Sequence, residues 1–588
     1  MEAISQGQKL FLTRLGIGLA QGLILYLLYR ASDAKLWPAT HGAVFIPLLL
    51  VSLSAPIGLN LSLGAMPLRK ALTWVGIASA VVALLGFFDA WMGASQQLPE
   101  GAIPSAQLIF FGAGGLFIAH TLVTGGVAQG RFMASYATYF DLAWKLGIQL
   151  VLSVFFVGAF WALMWLGAGL FGLIKLSFLE GLLGEAWFSI PVLAVAAGGA
   201  LHLTDVRPTL VQGARTLALT LLSWLLPLIT LMVAGFVASL PFTGLQALWS
   251  FGHATALLLA ATAALLILIN AAHQDGAPER TPPKVLQVAG TVAALLTVPL
   301  TLIAAYALSL RVRQYGWTVD RVTVAAILIV ALAYAGGYAH AALTRGRWLA
   351  GIEEWNFRVA LLALGLMIVM FTPLASPLRI SVNDQMARLQ SGKVTPQKFD
   401  YAYLRWEGGR YGQAALAVLS RSQNAYTRLA ASDALKRKAR YEPYTPAPAL
   451  LAQRVTVYPR GTKLPESFLK TDWNRKQARR SPSECMGAMN TPCDAVLLDL
   501  NGDGRQEIVM FAAGSRTVSV FHSTEAGWFL AATFEAPCPG MLEALRSQKF
   551  EVMPPAARWN DLMVAGRRLR LNPGVQDGAD ACAKAGAN

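Results

Sequence analysis

Residues 285–309 read VLQVAGTVAALLTVPLTLIAAYALS, 25 residues without one charged side chain. A bilayer core about 30 Å thick is crossed by ~20 apolar residues in a helix, so this run is long enough to span it. Working outward, the same pattern recurs at 11–29, 41–63, 71–92, 106–124, 146–170, 188–204, 216–237, 253–272, 322–343 and 357–375. That makes eleven expected spans. The sixth, 188–204, is short and rich in Ala and Gly. Connecting loops are short, so neighbours in sequence are expected to pack as antiparallel neighbours. The first run ends at Tyr29 and Arg30 without a convincing small-x-small cleavage site, so it reads as a retained anchor.

Composition agrees once it is divided. The 588 residues are 14% charged and 55% hydrophobic, with mean hydropathy +0.49. Residues 1–378 carry 19 Lys/Arg and 13 Asp/Glu, about 8% charged, whereas 379–588 carry 29 and 19, about 23%. Soluble domains carry roughly 25%. The expected architecture is an all-α polytopic transmembrane bundle followed by an α+β extracytoplasmic domain. Three parts are expected: the bundle over 1–378, a helical hairpin module over 379–441, and a small disulfide-containing β-rich domain over 442–588.

Cytoplasmic loops concentrate Lys and Arg. One set of loops, with the N-terminus, holds thirteen; the opposite set holds Arg30, Lys35, Lys175, Arg311, Arg313 and Arg321. The bias places the N-terminus in the cytoplasm. An odd number of spans then places the C-terminal region outside, in the periplasm of a Gram-negative cell, with the bundle in the inner membrane. Cysteine usage points the same way. Cys485, Cys493, Cys538 and Cys582 all lie in the C-terminal region, as suits two disulfides in an oxidising compartment. Of three pairings, Cys485–Cys493 with Cys538–Cys582 is preferred, because the first two are close in sequence.

Polar groups within a membrane are costly and are candidate functional residues. His120, His202, His273 and His340 each fall near the same end of an even-numbered span. They read either as a histidine cluster or as amphipathic residues at headgroup level. Asp89 closes the third span. Asp141 and Lys145 are expected to pair at i,i+4, and Glu353 and Glu354 to complement the start of the last span. Gly112, Gly114, Gly115, Gly167, Gly169 and Gly172 are expected to permit close helix packing.

Between the ninth and tenth spans runs Arg311-Val-Arg313-Gln-Tyr315-Gly316-Trp317-Thr318-Val-Asp320-Arg321. Its Arg, Tyr and Trp suit an anionic headgroup or carboxylate, or else form a structural turn. A later run reads Phe399-Asp-Tyr-Ala-Tyr-Leu-Arg405-Trp-Glu407-Gly-Gly-Arg410-Tyr411-Gly412. Both resemble the bacterial membrane family called domain of unknown function 4153, over approximately residues 1–440. The resemblance implies an inner-membrane protein and assigns no catalytic residue.

Residues 379–441 have apolar positions at helical spacing, with a break at Gly408 and Gly409. Strands are expected at 454–458, 495–500, 507–511, 516–522 and 528–534. Between two of them lies Asp499-Leu-Asn501-Gly502-Asp503-Gly504-Arg505-Gln506-Glu507. Oxygen donors at alternate positions with Gly at the sixth suit Ca2+, although an EF-hand would need Glu where Met510 stands. The loop resembles those of integrin-type propeller repeats. That resemblance implies a structural Ca2+ held by Asp499, Asn501, Asp503, the Arg505 carbonyl and Glu507. A metal-free turn is the alternative.

The C-terminal region has net charge +10, with basic clusters at 436–440, 475–480 and 567–570. Outside the cell these suit anionic lipid, lipopolysaccharide or another envelope protein, and not nucleic acid. The chain lacks a Gly-x4-Gly-Lys-Ser/Thr loop, His-Glu-x-x-His, Gly-x-Ser-x-Gly and Cys-x-x-Cys. This census favours a non-enzymatic envelope protein presenting a binding domain. A transporter or lipid-handling protein is the second reading, and a transferase for lipid-linked substrates the third.

Overall fold

The computed structural model describes residues 6–569 except 94–95, 99–100, 245–253, 278, 280, 438–447, 472, 474–484, 486–492, 513–514, 516, 526, 536–538, 553–561 and 565–566. It divides into two compact units, Met1–Asp384 and Gln385–Asn588.

The first unit is helical because its backbone has no alternative in lipid: every N–H and C=O in hydrocarbon must be satisfied within the segment. Its helices are α1 (Gln6–Asp33), α2 (Gly42–Ser62), α3 (Leu68–Met92), α4 (Ala106–Gln129), α5 (Tyr136–Leu173), the short α6 (Phe178–Gly184), α7 (Ala186–Val206), α8 (Pro208–Thr243), α9 (Ala254–His273), α10 (Lys284–Tyr315), α11 (Val319–Leu343) and α12 (Ile352–Met370). A small hairpin, β1 (Gln96–Leu98) and β2 (Gly101–Ile103), joins α3 to α4. Among the described residues, ten of the helices are long and apolar enough to cross a membrane. Each matches an expected span. Over the eleventh expected span, 357–375, the chain forms a helix, α12, but it is not one of the ten: its 19 residues carry Glu353, Glu354 and, a turn later, Arg358.

Several helices outrun their apolar stretches. α5 has 38 residues and α8 has 36. Polar and aromatic residues at their ends, such as Tyr136 and Arg215, still favour helix once the apolar middle has nucleated it. The same effect shapes the Arg311–Arg321 segment, for which a structural turn was one of the two expectations. It is not an open loop: α10 continues to Tyr315, Gly316 ends it at φ +78°, and Thr318 caps α11 by accepting from the Arg321 N–H.

Small residues set the packing. α8, α9, α10 and α11 share a core in which Ala293, Ala294, Thr297 and Thr301 are fully buried among Leu226, Leu265, Ile269 and Tyr338. The glycine expectation is corrected here. Gly169 and Gly172 face open space and Gly112 and Gly114 meet only distant side-chain atoms, whereas Gly115 packs closely as expected, a Cβ there lying 3.2 Å from Met367 Sδ, and one on Gly167 would make ordinary contact with Leu179. The close crossing is instead between α1 and α7. A Cβ on Gly18 would lie 2.6 Å from the Ala194 carbonyl oxygen, and one on Gly22 would lie 2.4 Å from the Pro191 Cα. On the facing helix, a Cβ on Gly198 would lie 2.8 Å from the Arg14 carbonyl oxygen. Gly18 and Gly22 form the i,i+4 small-residue ridge that lets backbones touch in lipid.

The second unit folds as water-surrounded chains do. Where one hairpin was expected, three helices follow the α13 segment (Pro377–Gln390): α14 (Tyr401–Trp406), α15 (Gly409–Leu419) and α16 (Ala425–Lys436). The Asp400 carboxylate caps α14 and the Asn424 side chain caps α16. Polar runs at 391–400 and 420–424 separate them. After α17 (Pro448–Arg454) comes a five-stranded sheet in the order β3 (Val455–Tyr458), β4 (Cys493–Leu498), β5 (Glu507–Ala512), β6 (Thr517–Thr524) and β7 (Gly527–Glu535). β3 runs parallel to β4, and the rest is an antiparallel meander. All five strands fall within about two residues of where they were expected.

β5 is buried on both faces. Ile508, Met510 and Ala512 point to a core with Phe468, Trp473 and Phe521, and Val509 and Phe511 point to one with Val518, Val520 and Leu542. Phe468, Trp473 and Phe521 meet with ring centroids 5.1–5.3 Å apart, the tilted and edge-on contacts that the ring quadrupole favours. The Cys485–Cys493 disulfide is formed, anchoring the start of β4. Cys538 and Cys582, and with them the second expected pairing, lie outside the described residues.

Candidate functional site

The loop between β4 and β5 is built by its own side chains. Gly502 and Gly504 take φ of +76° and +79°, which a residue without Cβ adopts at little cost. Asp499 accepts from the Gly502 and Gly504 N–H groups at 2.7 and 2.9 Å. The Asn501 oxygen accepts from the Asp503 N–H, and its amide donates to Asp503 Oδ2 at 3.1 Å. Asp503 Oδ1 accepts from the Arg505 N–H at 2.8 Å. That last bond, ahead of the Asn501 amide and His522, holds the Asp503 carboxyl below the usual range against a smaller desolvation.

Glu507 is buried at the start of β5. Its Oε2 accepts from the Leu500 N–H at 2.7 Å, and its Oε1 lies 2.6 Å from His522 Nδ1. The hairpin register pairs Ile508 with Phe521, so Glu507 and His522 stand opposite each other one position on. Asp503, Glu507 and His522 each offer a ligand atom, all within 4.8 Å of one another. Among the described residues this is the only such group of three or more His, Cys, Asp and Glu side chains. Two of its members were legible in the loop motif. His522 was not, because only the β5–β6 register brings it in. Asp499 and Asn501 spend oxygens on the turn itself, and the structure shows Arg505 through its N–H.

The four membrane histidines have separate surroundings and form no such group. His120 accepts from Trp74 Nε1 at 3.1 Å. His202 packs on Phe11 at 4.9 Å and lies beside Arg14. His273 stands 3.4 Å from Glu353, against Tyr136 and Trp348. His340 is exposed near the end of α11. Asp89 is also structural: it accepts from both the N–H and the hydroxyl of Ser105, the residue capping α4.

The expected Asp141–Lys145 pair is corrected. Asp141 binds Arg215, while Lys145 binds Asp205 at 3.1 Å, since interhelical partners compete with neighbours on one exposed helix face. Asp205 also holds Arg14 at 2.8 Å, and Arg14, 1% exposed, donates to the Leu63 carbonyl as well. Glu353 and Glu354 lie in the first turn of α12, as expected, and pair with Arg347 and Arg358.

The Arg311–Arg321 segment forms a tight helix end. Arg321 donates to the Gly316 carbonyl at 2.6 Å and lies over the Tyr315 ring, while the Trp317 N–H donates to Asp384. Arg311 and Arg313 sit in the last turns of α10 and have partners of their own. Arg321 therefore folds back on its own turn.

Ten apolar crossing helices, with polar side chains paired between helices, define a multi-pass integral membrane protein in contact with a lipid bilayer. The family model for the domain of unknown function (DUF4153) matches residues 36–419, about two thirds of the chain, and the chain belongs to that family. The Asp499–Glu507 loop lies beyond the matched residues. No curated protein and no solved structure matches the chain.

Proposed function

We propose that this DUF4153 chain is a non-enzymatic bacterial inner-membrane protein whose second unit is a calcium-stiffened binding module in the periplasm. The observation that carries the reading is the Asp499–Glu507 loop closed by His522. Buried Glu507 and the Asp503 carboxyl, held below the usual carboxylate range, stand within reach of one cation. Asp499 and Asn501 preform the turn, and the carbonyl oxygens of a flexible loop complete the coordination Ca2+ favours. The ion would neutralise Asp503 and Glu507 and stiffen the β4–β5 connection, while His522 of β6 orients Glu507 through their 2.6 Å contact. The Cys485–Cys493 disulfide and the Lys/Arg bias of the loops support the placement outside the cytoplasm. Its net charge of +10 suits anionic lipid, lipopolysaccharide or an acidic envelope protein as the partner.

Thermal unfolding of the detergent-solubilised full chain, followed by tryptophan fluorescence, tests the ion. Calcium at about 100 times its dissociation constant should add about 2.7 kcal/mol to the unit that binds it. The transition that includes Trp473 and Trp528 should therefore rise in calcium over chelator, and Asp503→Ala should remove the rise. Identical curves for the parent protein in calcium and in chelator would end the proposal.

A further inference from the structure

The membrane unit contains a cavity of about 530 Å³ among α4, α5, α9, α11 and α12. That is within the range of small-ligand sites, about 300–1,000 Å³. Its polarity runs along the helices. On α9, Asn270 lines it one turn from the helix end, and Ala263 lines it seven residues deeper. On α12, Glu353 lines it in the first turn, and Ala360 seven residues on. On α5, Tyr136 is the first helical residue, and Trp144 follows eight later. At 1.5 Å per residue the apolar walls therefore lie ~10 Å below the polar groups. A polar mouth at the helix ends over an apolar shaft in the spans is the profile of a lipid standing in the bilayer.

The mouth has a defined chemistry. Asn270 Oδ1 accepts from Tyr136 OH and from Asn356 Nδ2, at 3.2 and 2.7 Å. Asn270 Nδ2 donates to Tyr338 OH, which donates to Asn356 Oδ1, at 2.6 and 2.7 Å. These amides and hydroxyls satisfy one another and make a rigid floor. Among the described residues Glu353 is the one carboxylate in the lining and no Lys, Arg or His lines it, although His273 and Arg347 stand against Glu353 from outside the lining. An anionic head would meet a negative charge there; an ammonium would meet an acceptor. Arg347, which pairs with Glu353 and donates to the Gly276 carbonyl, has its side chain 42% exposed. The mouth thus presents a negative group beside a positive one, complementary to a zwitterion.

We propose that this cavity holds an acyl chain of a membrane phospholipid with a primary-ammonium head, of the phosphatidylethanolamine class. Glu353 accepts the ammonium N–H groups, and Arg347 supplies the counter-charge for the phosphate. The inference is independent of the calcium loop, which belongs to the other unit.

The test reads which lipids the full chain retains. Purified protein is exchanged into an equimolar mixture of phosphatidylethanolamine, phosphatidylglycerol and phosphatidylcholine, delipidated stepwise and analysed by native mass spectrometry. Hydrogen bonds to a charged group predict about tenfold retention of phosphatidylethanolamine over the other two. Glu353→Gln should bring the three near parity while lipid is still held. Ala263→Trp, which fills the shaft, should remove retention of all three at an unchanged melting temperature. A lipid-side series needs no variant: with each N-methyl group added to phosphatidylethanolamine, retention by the parent chain should fall. Equal retention of the three lipids, a flat methylation series, or a preference that survives Glu353→Gln in a folded protein would overturn the proposal.

Discussion

The two units solve the burial problem in opposite solvents. In the membrane unit the outside is apolar, so apolar burial cannot drive packing. Contact comes from small residues such as Gly22 and Ala293, and specificity from polar locks such as Arg14–Asp205 and Asn270–Tyr338–Asn356. In the second unit the outside is water. There β5 is packed with Ile508, Val509, Met510 and Phe511 on two faces, and polar chemistry moves to the Asp499–Glu507 turn at the sheet's end. Polar side chains thus fasten helices to one another in the membrane unit, whereas in the second unit the Asp499–Glu507 turn gathers them at the end of an apolar sheet.

The largest effect should come from breaking a fastener. Asp205→Ala leaves Arg14 buried without its counter-charge, and breaking a buried pair costs about 3–5 kcal/mol. Detergent or thermal unfolding should show the membrane unit destabilised by that order and the sheet transition unmoved. A loss of stability confined to the sheet transition would break the comparison. Smaller is the cost of overfilling the α1–α7 crossing. Gly22→Ala forces a methyl onto the Pro191 backbone and should cost about 1–3 kcal/mol, whereas Gly172→Ala, facing open space, should stay within about 0.5 kcal/mol. Equal effects would mean that glycine spacing does not set the packing.

The smallest effect is the pH response of the loop. Asp503 has a folded pKa below its unfolded value of 3.8. Its contribution is complete at neutral pH and is lost as pH falls below about 4 and through the lower folded value. Calcium-free protein should show an acid-side drop in the sheet transition that Asp503→Asn flattens. The opposite response comes from Tyr401, which burial pushes up to about 12. Its contribution is complete below its unfolded value near 10 and is lost as pH rises towards 12, so α14–α16 should loosen there.

The membrane spans were legible because an uncharged run such as 285–309 has one reading in any context. The strands were legible because Ile508-Val-Met-Phe and its neighbours carry a bounded β pattern. What escaped was relational. Nothing in the order of residues says that Asp205 pairs with Lys145 and Arg14, or that Asn270 meets Tyr338 and Asn356, because helix rotation decides those partners. His522 escaped for the same reason: strand register, not local spacing, sets it opposite Glu507. Glycine spacing misled at Gly169 and Gly172, which face open space, and was overlooked at Gly18 and Gly22, where a facing backbone approaches.

The central claim is that the two units answer to different solvents, and the proposed placement of the second unit outside the cytoplasm turns on α12. If Ile352–Met370 crosses, the chain has an odd number of spans and its ends lie on opposite faces. The direct measurement is a pair of topology reporters fused after Asn588, one active only in the cytoplasm and one only outside it. Activity of the external reporter alone is the expected result. Activity of the cytoplasmic reporter alone would return the sheet and its loop to the reducing side and contradict the account.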